Sequence, residues 1–219
     1  MSTITAPRRR NRRGEGDQLR AVIVRAAEEL LDAGGTERDI TLRGVARQAG
    51  ISAPSIYPHF AHVDAILLAV VQAAFETLRQ ALKGAGGEGR DGSSADPADP
   101  LGRLRAVCEA YLGFARERPL RYRVMFAGVW QARLAVEADP SLAGEAAALG
   151  ADAFAVLVDA VSDCAASGDS GSRDPASDAS ALWVGLHGLA SLQHAAPLFP
   201  WPPTITEDLI TRLALLRPR

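Results

Sequence analysis

Residues 41–60 have the sequence TLRGVARQAGISAPSIYPHF, which predicts two short helices joined by a tight turn. Thr41 can cap a helix over 42–48, because its side-chain oxygen can accept a hydrogen bond from an amide of the first turn. Gly50 permits the turn, and Ser52 can cap the helix that follows. This arrangement is typical of a helix-turn-helix motif.

The outer side of the predicted third helix carries short polar side chains and two long ones that end in hydrogen-bonding groups. It would present Ser52, Ala53, Ser55, Tyr57 and His59. Such a surface can enter the major groove of DNA, with its flanks near the phosphates. Arg43 can point the same way, and arginine is the best bidentate partner for guanine. Two alternatives stay open, since Tyr57 could belong partly to the core and His59 could brace a helix junction.

Outward from this motif the apolar residues recur with helical spacing, which predicts an all-α chain of about nine helices. The first helix would follow an apolar stripe from Leu19 to Leu31. Later helices are expected over 63–83, 101–117, 119–130, 141–166, 176–195 and 204–217. Three of them would start at an Asp-Pro pair, in which Asp caps the amides and Pro fits the first helical position. Thr204 and Glu207 match a capping box.

Composition narrows the class of protein. The 219 residues carry a net charge of −2, but the first 60 are net positive and the remainder net negative. The negative total therefore does not exclude a nucleic-acid partner for the N-terminal part. Two cysteines do not make a disulfide framework, and no apolar segment follows the first arginines or runs for about 18 residues. We expect a cytoplasmic protein with no membrane segment.

These patterns divide the chain into three predicted parts. Residues 1–16 are predicted to be a disordered, Arg-rich arm, and residues 17–62 a helix-turn-helix domain. Residues 63–219 are predicted to form a helical domain, with the helix over 63–83 connecting it to the helix-turn-helix domain.

The stretch from about Leu19 to Ala69 resembles the TetR/AcrR family of bacterial regulators. The similarity lies in the runs TLRGVA at 41–46, AGIS at 49–52, SIYPHF at 55–60 and LLAV at 67–70. The Tyr-x-His-Phe ending of the third run is the most specific of these signals. The resemblance implies a DNA-binding head and a C-terminal domain that binds a ligand and a second copy of the chain.

The resemblance also assigns DNA contacts position by position. They fall on Arg43, Ser52, Ala53, Pro54, Ser55, Tyr57 and His59, and His62 is added as a candidate for the reason that follows. One departure is Val63, where the family usually has Lys, so His62 or the helix N-terminus would have to hold the phosphate. The five arginines between positions 8 and 13 could enter a minor groove. His59 and His62 are three residues apart, but two histidines without a third ligand make a poor zinc site, and no metal is expected.

Residues 182–192, LWVGLHGLASL, resemble a Trp-x-x-x-His-Gly (WHG) branch of TetR-type C-terminal domains, and 117–126 fits the same branch. Glycines inside a helix favour close approach of another backbone. The resemblance implies that the last two helices form a four-helix bundle with a twin subunit; a monomeric helical core is the alternative. Candidate interface residues are Trp183, Gly188, Leu192, Leu209 and Leu213.

The helices between head and interface are expected to enclose an apolar ligand pocket. Candidate lining residues are Tyr111, Phe114, Met125, Phe126, Trp130, Phe154, Val158 and His187. Each of them could equally be ordinary core, and His187 could be a satisfied core histidine. Cys108 and Cys164 are most simply buried apolar residues.

The resemblance, taken with these patterns, implies a homodimeric, ligand-responsive transcriptional repressor that binds a palindromic operator and is released by a small apolar or amphipathic effector. No cofactor and no enzymatic activity are expected. Two alternatives remain: a helical small-molecule-binding enzyme, for which the sequence offers no catalytic constellation, and a ligand-independent DNA-binding protein of chromosome organisation.

Overall fold

The computed structural model describes residues 15–33, 40–87, 99–126 and 132–218. Within these ranges the chain forms helices and turns and no β-strand, apart from an isolated bridge between Ser170 and Leu216. The all-α prediction is confirmed. Of the predicted arm, only Glu15 and Gly16 are described, and they begin the first helix. Trp130 also lies outside the described residues.

The helices of the described residues are α1 Glu15–Asp32, α2 Leu42–Gln48, α3 Val63–Ala85, α4 Pro100–Glu117, α5 Pro119–Phe126, α6 Ala132–Ala138, α7 Ala143–Ala147, α8 Ala151–Ser167, α9 Pro175–Ala195 and α10 Ile205–Leu213. Two short 3₁₀ segments cover Ala53–Ser55 and Pro140–Leu142. The chain divides into two compact units, and the division falls inside α3, between Val70 and Val71.

The N-terminal unit is built around a small apolar core. Thr41 caps α2 as expected, since its Oγ1 accepts a hydrogen bond of 2.9 Å from the Gly44 amide. The core residues of this unit include Ile23, Ala27, Ile40, Val45, Ile56 and Phe60, which are buried. Gly50 has a φ of 66° at the turn after α2, a conformation that glycine adopts without strain.

The segment after this turn is not the regular helix that the sequence predicts. A single 3₁₀ turn over Ala53–Ser55 is followed by turns as far as His59. Pro58 has no amide hydrogen, and a proline disfavours helical geometry at the residue before it, so a regular α-helix is destabilised at this point. The predicted Ser52 cap is also wrong: its hydroxyl bonds to that of Ser55 at 2.7 Å and caps no amide.

The C-terminal unit contains the rest of α3 and helices α4 to α10. Asp99 and Asp174 cap α4 and α9 as predicted, through bonds to backbone amides three residues ahead. Asp139 caps a 3₁₀ turn instead. Thr204 does not make the predicted capping box, because its side chain bonds to Asp208 and caps no amide.

One predicted helix, over 141–166, is divided in the structure. The break falls at Gly150, whose φ is 75° and where an added Cβ would lie 2.6 Å from Cε1 of Phe75. Both the left-handed backbone and the close aromatic ring require glycine there. The final helix ends early as well, because Leu215 turns the chain back and its carbonyl accepts the Gly171 amide at 2.8 Å.

The core of the C-terminal unit lies between α4, α8 and α9. Fully buried members include Leu104, Cys108, Ala160, Cys164 and Leu182. Both cysteines are free, and burial raises the pKa of Cys108 to about 12 and that of Cys164 to about 11, so both thiols stay protonated at neutral pH. They act as small apolar residues.

Two described segments are long and apolar enough to cross a bilayer by length and composition alone. They are Val63–Ala85 and Pro140–Ser167. Neither is an uninterrupted apolar run, and the second is broken at Gly150. Half of the apolar window of α3 is buried inside the protein, as in the core helix of a globular domain.

Candidate functional site

The segment after α2 presents alternating buried and exposed side chains. Ile56 and Phe60 are buried, and they anchor the segment to the core of the N-terminal unit. Tyr57, between them, is 59% exposed and so is not part of that core. His59 is half-buried, on the turn that Pro58 interrupts. An exposed aromatic residue on a buried frame is available to a partner outside the unit.

The remaining predicted contact residues surround Tyr57 in the sequence and are accessible to solvent. Arg43 lies in the first turn of α2 and is exposed, as are Ser52 and Pro54. Ala53 and Ser55 are half-buried. The bond between the hydroxyls of Ser52 and Ser55 holds two small polar groups together at the start of the segment.

His62 caps the start of α3, a role that the sequence pattern did not predict. Its Nδ1 accepts a hydrogen bond of 3.3 Å from the Ala65 amide and lies 4.0 Å from the Asp64 carboxylate. The imidazole therefore occupies one of the amides at the start of α3 that a phosphate would use. His62 and the N-terminus of α3 are the two groups that could bind a phosphate in place of the family's lysine. They compete, because His62 bonds to an amide of that N-terminus.

Two contacts that the sequence pattern did not reveal brace the motif. The guanidinium of Arg20 lies 4.8 Å from the ring centroid of Phe60, a cation–π contact that ties α1 to the end of the segment. Gln48 donates to Glu29 at 2.8 Å, which ties α2 to α1. Neither pair has a spacing that a sequence periodicity could show.

A cavity of about 190 Å³ lies within the C-terminal unit. Three of the predicted lining residues, Tyr111, Phe126 and Phe154, contribute to its wall. The other lining residues, which helical spacing did not predict for a pocket, are Phe75, Leu78, Leu82, Leu149, Gly150, Ala151, Ala153, Leu157 and Trp183. Among the described lining residues, only Tyr111 and Trp183 carry a polar side-chain atom, and none is charged.

Other predicted lining residues lie elsewhere in the unit. Phe114 is buried away from this cavity, with the Arg118 guanidinium 6.0 Å from its ring centroid. Met125 and Val158 pack against the core without lining the cavity. Their helical spacing was correct for a buried position, but periodicity alone cannot say whether a buried position faces a neighbour or a void.

Beside the cavity, four polar side chains form a chain of hydrogen bonds. Trp183 Nε1 donates to Tyr111 Oη at 3.2 Å, and the hydroxyls of Tyr111 and Tyr122 are 2.9 Å apart. Tyr122 Oη lies 2.7 Å from Nδ1 of His187. Burial raises the pKa values of both tyrosines and lowers that of His187, so all four groups are uncharged at neutral pH. His187 is therefore a hydrogen-bonded histidine inside the C-terminal unit.

The two helical glycines of α9 have different surroundings. A Cβ on Gly185 would lie 2.6 Å from Cδ1 of Leu213, so this glycine lets α10 approach within the same chain. Nothing lies within 4 Å of a Cβ on Gly188. Val184 and Leu192, one turn to either side of Gly188, are exposed at 68% and 53%.

Of the other predicted interface residues, Leu209 and Leu213 are partly buried against the core, and Trp183 lines the cavity. The apolar surface left on α9 is therefore centred on Gly188. Within the described residues, no group of three His, Cys, Asp or Glu side chains could hold a metal ion.

Two family models match the chain. One, for bacterial regulatory proteins of the tetR family, covers residues 23–70, and the other, for the tetracyclin repressor-like C-terminal domain, covers 104–215. The chain belongs to the TetR family. The first model spans the helix-turn-helix segment, so the TetR fold places a DNA-binding motif in the N-terminal unit. Membership of the WHG branch stays a prediction.

Solved structures share the TetR fold over most of their length. A protein of unknown function from Rhodococcus sp. RHA1 is 26% identical, with a TM-score of 0.67 and coverage of 89% of this chain and 91% of that one. A TetR family transcription regulator from Marinobacter aquaeolei VT8 is 17% identical, with a TM-score of 0.57 and coverage of 95% and 100%. The TetR family transcriptional regulator PfmR from Thermus thermophilus is 19% identical, with a TM-score of 0.56 and coverage of 89% and 96%. No curated protein matches the sequence.

Proposed function

We infer that this TetR-family protein is a ligand-responsive transcriptional repressor that binds a palindromic operator as a homodimer. The observation that carries the proposal is the exposure of Tyr57 on a frame fixed by buried Ile56 and Phe60. Arg43 and Ser52, exposed nearby in the sequence, would contact base edges or phosphates from the same motif. The protein would act in the cytoplasm, without a cofactor and without catalysing a reaction.

Release of the operator would follow from a shift between two conformations. Helix α3 begins in the N-terminal unit, and its later residues Phe75, Leu78 and Leu82 line the cavity. A small apolar or amphipathic effector that fits one position of α3 better than another would favour that position. Both heads of a dimer must match half-sites about 34 Å apart, so a modest movement of α3 lowers operator affinity.

The homodimer is proposed to form through α9 and α10. The exposed apolar residues Val184 and Leu192, with Gly188 between them, would let a second copy approach closely. Gly188→Glu places a charge at the centre of this surface and is expected to convert a dimer to monomers in sedimentation velocity. Gly144→Glu, on exposed α7, is the control. A dimer that persists in Gly188→Glu would contradict this interface.

The central experiment is genome-wide mapping of bound DNA, followed by footprinting to define the operator. Tyr57→Ala and His59→Ala should each weaken binding to that operator about ten-fold in a gel shift, because each removes a DNA contact of roughly 1–3 kcal/mol. Unchanged affinity in both variants would contradict the assigned DNA surface. Binding without any palindrome would favour the alternative of a chromosome-organising protein.

A further inference from the structure

The chemistry of the cavity wall defines which molecules it can hold. Its volume of about 190 Å³ is slightly larger than the 150 Å³ of an engineered apolar cavity that binds benzene. A single aromatic ring with one or two small substituents fits this space. Since no described lining residue is charged, a buried charge on the ligand would have no partner.

One polar group in the wall has bonding capacity that the protein does not use. A tyrosine hydroxyl has one hydrogen and two lone pairs, which allow three hydrogen bonds. At Tyr111, Trp183 occupies one lone pair and Tyr122 occupies either the hydrogen or the other lone pair. Trp183 has a single indole hydrogen, already donated to Tyr111. Tyr111 is therefore the side chain in the wall that can bond to a ligand.

The direction of the hydrogen-bond chain decides what Tyr111 offers. If Nδ1 of His187 accepts from Tyr122, then Tyr122 accepts from Tyr111, and Tyr111 is left with a lone pair. If Nδ1 carries the proton, it donates to Tyr122; when Tyr122 in turn donates to Tyr111, the Tyr111 hydrogen is left for a ligand, while Trp183 donates to Tyr111 in either case. A ligand hydroxyl meets either case, because it both donates and accepts, whereas a carbonyl meets only the second.

A surface groove beside the cavity carries three carboxylates that the cavity wall lacks. It shares Phe75 and Gly150 with the wall and includes Glu76, Glu145 and Asp152. Glu76 accepts from Arg79 at 2.6 and 2.7 Å, and Glu145 accepts from Gln72 at 2.7 Å, whereas Asp152 is exposed to solvent. None of the three lines the cavity, so a cation inside it would have no charged partner in the wall.

We propose that the cavity binds an uncharged, single-ring aromatic or similarly sized apolar molecule that bears one hydroxyl, and that Tyr111 bonds to this hydroxyl. The assignment rests on the proposed function in that it takes the cavity to be the effector site. It goes beyond that function in stating the charge, size and polar group of the effector and the residue that recognises it.

Four probes with the same tolyl ring test the proposal: toluene, p-cresol, 4-methylbenzoate and 4-methylbenzylammonium. Isothermal titration calorimetry on the full-length protein, without DNA, should show p-cresol binding about five-fold tighter than toluene, as expected for one added hydrogen bond. The two ions should bind more weakly than toluene. The proposal is overturned if toluene equals p-cresol, or if either ion binds as tightly as p-cresol.

Tyr111→Phe tests the recognising residue. This variant should bind p-cresol and toluene with equal affinity while its toluene affinity stays that of the wild type. A purely structural role would weaken both probes together and would overturn the assignment to Tyr111. Toluene serves as the internal control for folding of the cavity.

A pair of alanine variants on α8 tests the location. Ala153 lines the cavity and Ala155 is exposed on the same helix, outside the lining. Ala153→Leu should abolish binding of both neutral probes, and Ala155→Leu should leave it unchanged. If Ala153→Leu does not fold, Ala151→Leu replaces it, because Ala151 is exposed and still lines the cavity. Full binding by a folded lining variant would overturn the location.

Failure of this inference and failure of the proposed function can be told apart. Calorimetry without DNA tests the cavity alone, whereas a gel shift at saturating p-cresol tests regulation. Tight p-cresol binding with unchanged operator affinity would support the cavity assignment and contradict the effector role. Absence of probe binding in a protein that still binds its operator would overturn the cavity assignment and leave the DNA surface intact.

Discussion

The two candidate sites differ in how the chain builds them. The proposed DNA-contacting surface comes from residues 41–60, in which Ile56 and Phe60 are buried and Tyr57 is exposed within one short segment. The cavity wall joins Phe75 to Trp183, more than 100 residues apart, and forms only when several helices pack together. A local surface can be recognised from spacing and residue type, whereas an assembled one needs the packing itself.

The largest expected effect comes from removing a buried side chain that anchors the segment carrying Tyr57. Ile56→Ala removes a fully buried side chain and should lower the free energy of unfolding of the N-terminal unit by about 2–5 kcal/mol. Amide hydrogen exchange should therefore rise in α1 and α2 while α8 and α9 keep their protection.

Tyr57→Ala is the matched control, since the exposed neighbour should leave hydrogen exchange unchanged. Equal loss of protection in α8 and α9 of Ile56→Ala would contradict the description of the N-terminal segment as locally built.

The second-largest change in unfolding free energy is expected at Gly150, in the cavity wall of the C-terminal unit. Gly150→Ala forces a side chain into left-handed backbone and against the Phe75 ring, and should cost about 1–3 kcal/mol of unfolding free energy. Gly144→Ala, in exposed α7 with nothing within 4 Å, should instead stabilise the protein by up to about 1 kcal/mol. Urea denaturation measures both. Two glycines with the same response would mean that neither the backbone angle nor the Phe75 contact matters.

Gly150 and the helix caps show which features of the structure could be predicted from the sequence and which could not. The sequence predicted α2 with both ends and the Asp99 and Asp174 caps, because each depends on residues within a few positions of one another. It missed the break at Gly150, because the reason for that break is Phe75 on another helix. Trp183 was predicted to lie in the dimer interface, because helical spacing could not show that its indole bonds to Tyr111 on another helix of the same chain.

The third prediction concerns the hydrogen-bond chain between α4, α5 and α9. Burial lowers the pKa of His187 from the ordinary value of 6.5, so the folded protein resists a proton that the unfolded chain accepts. The stability from a neutral His187 is fully present above pH 6.5 and is lost as the pH falls below it. Denaturation between pH 7 and pH 5 should show this loss in the wild type and a flatter profile in His187→Gln.

His194→Gln is the control for this titration, because His194 is exposed on the same helix. It should retain the wild-type dependence on pH. A His194→Gln profile as flat as that of His187→Gln would show that the loss does not come from the buried chain.

The smallest effect is expected at the surface of the C-terminal unit, where Arg105 on α4 bonds to Glu207 on α10. Arg105 Nε reaches both carboxylate oxygens, at 3.0 and 3.1 Å, and these bonds lower the pKa of Glu207. Both side chains are nearly half exposed, so water screens the pair, and Glu207→Gln should cost at most about 1 kcal/mol in urea at pH 7. Its contribution exists above the ordinary pKa of 4.5 and disappears as the pH falls through the lowered value.

A matched variant separates this pair from surface charge in general. Glu109 also lies on α4 and faces Arg116 at 3.8 Å, but both side chains are more than half exposed and both belong to one helix. Glu109→Gln should therefore have almost no effect, and added salt should reduce the Glu207→Gln effect only. If the two variants were equal, the bond between α4 and α10 would add nothing to the assembly of the cavity region, which would then depend on apolar packing alone.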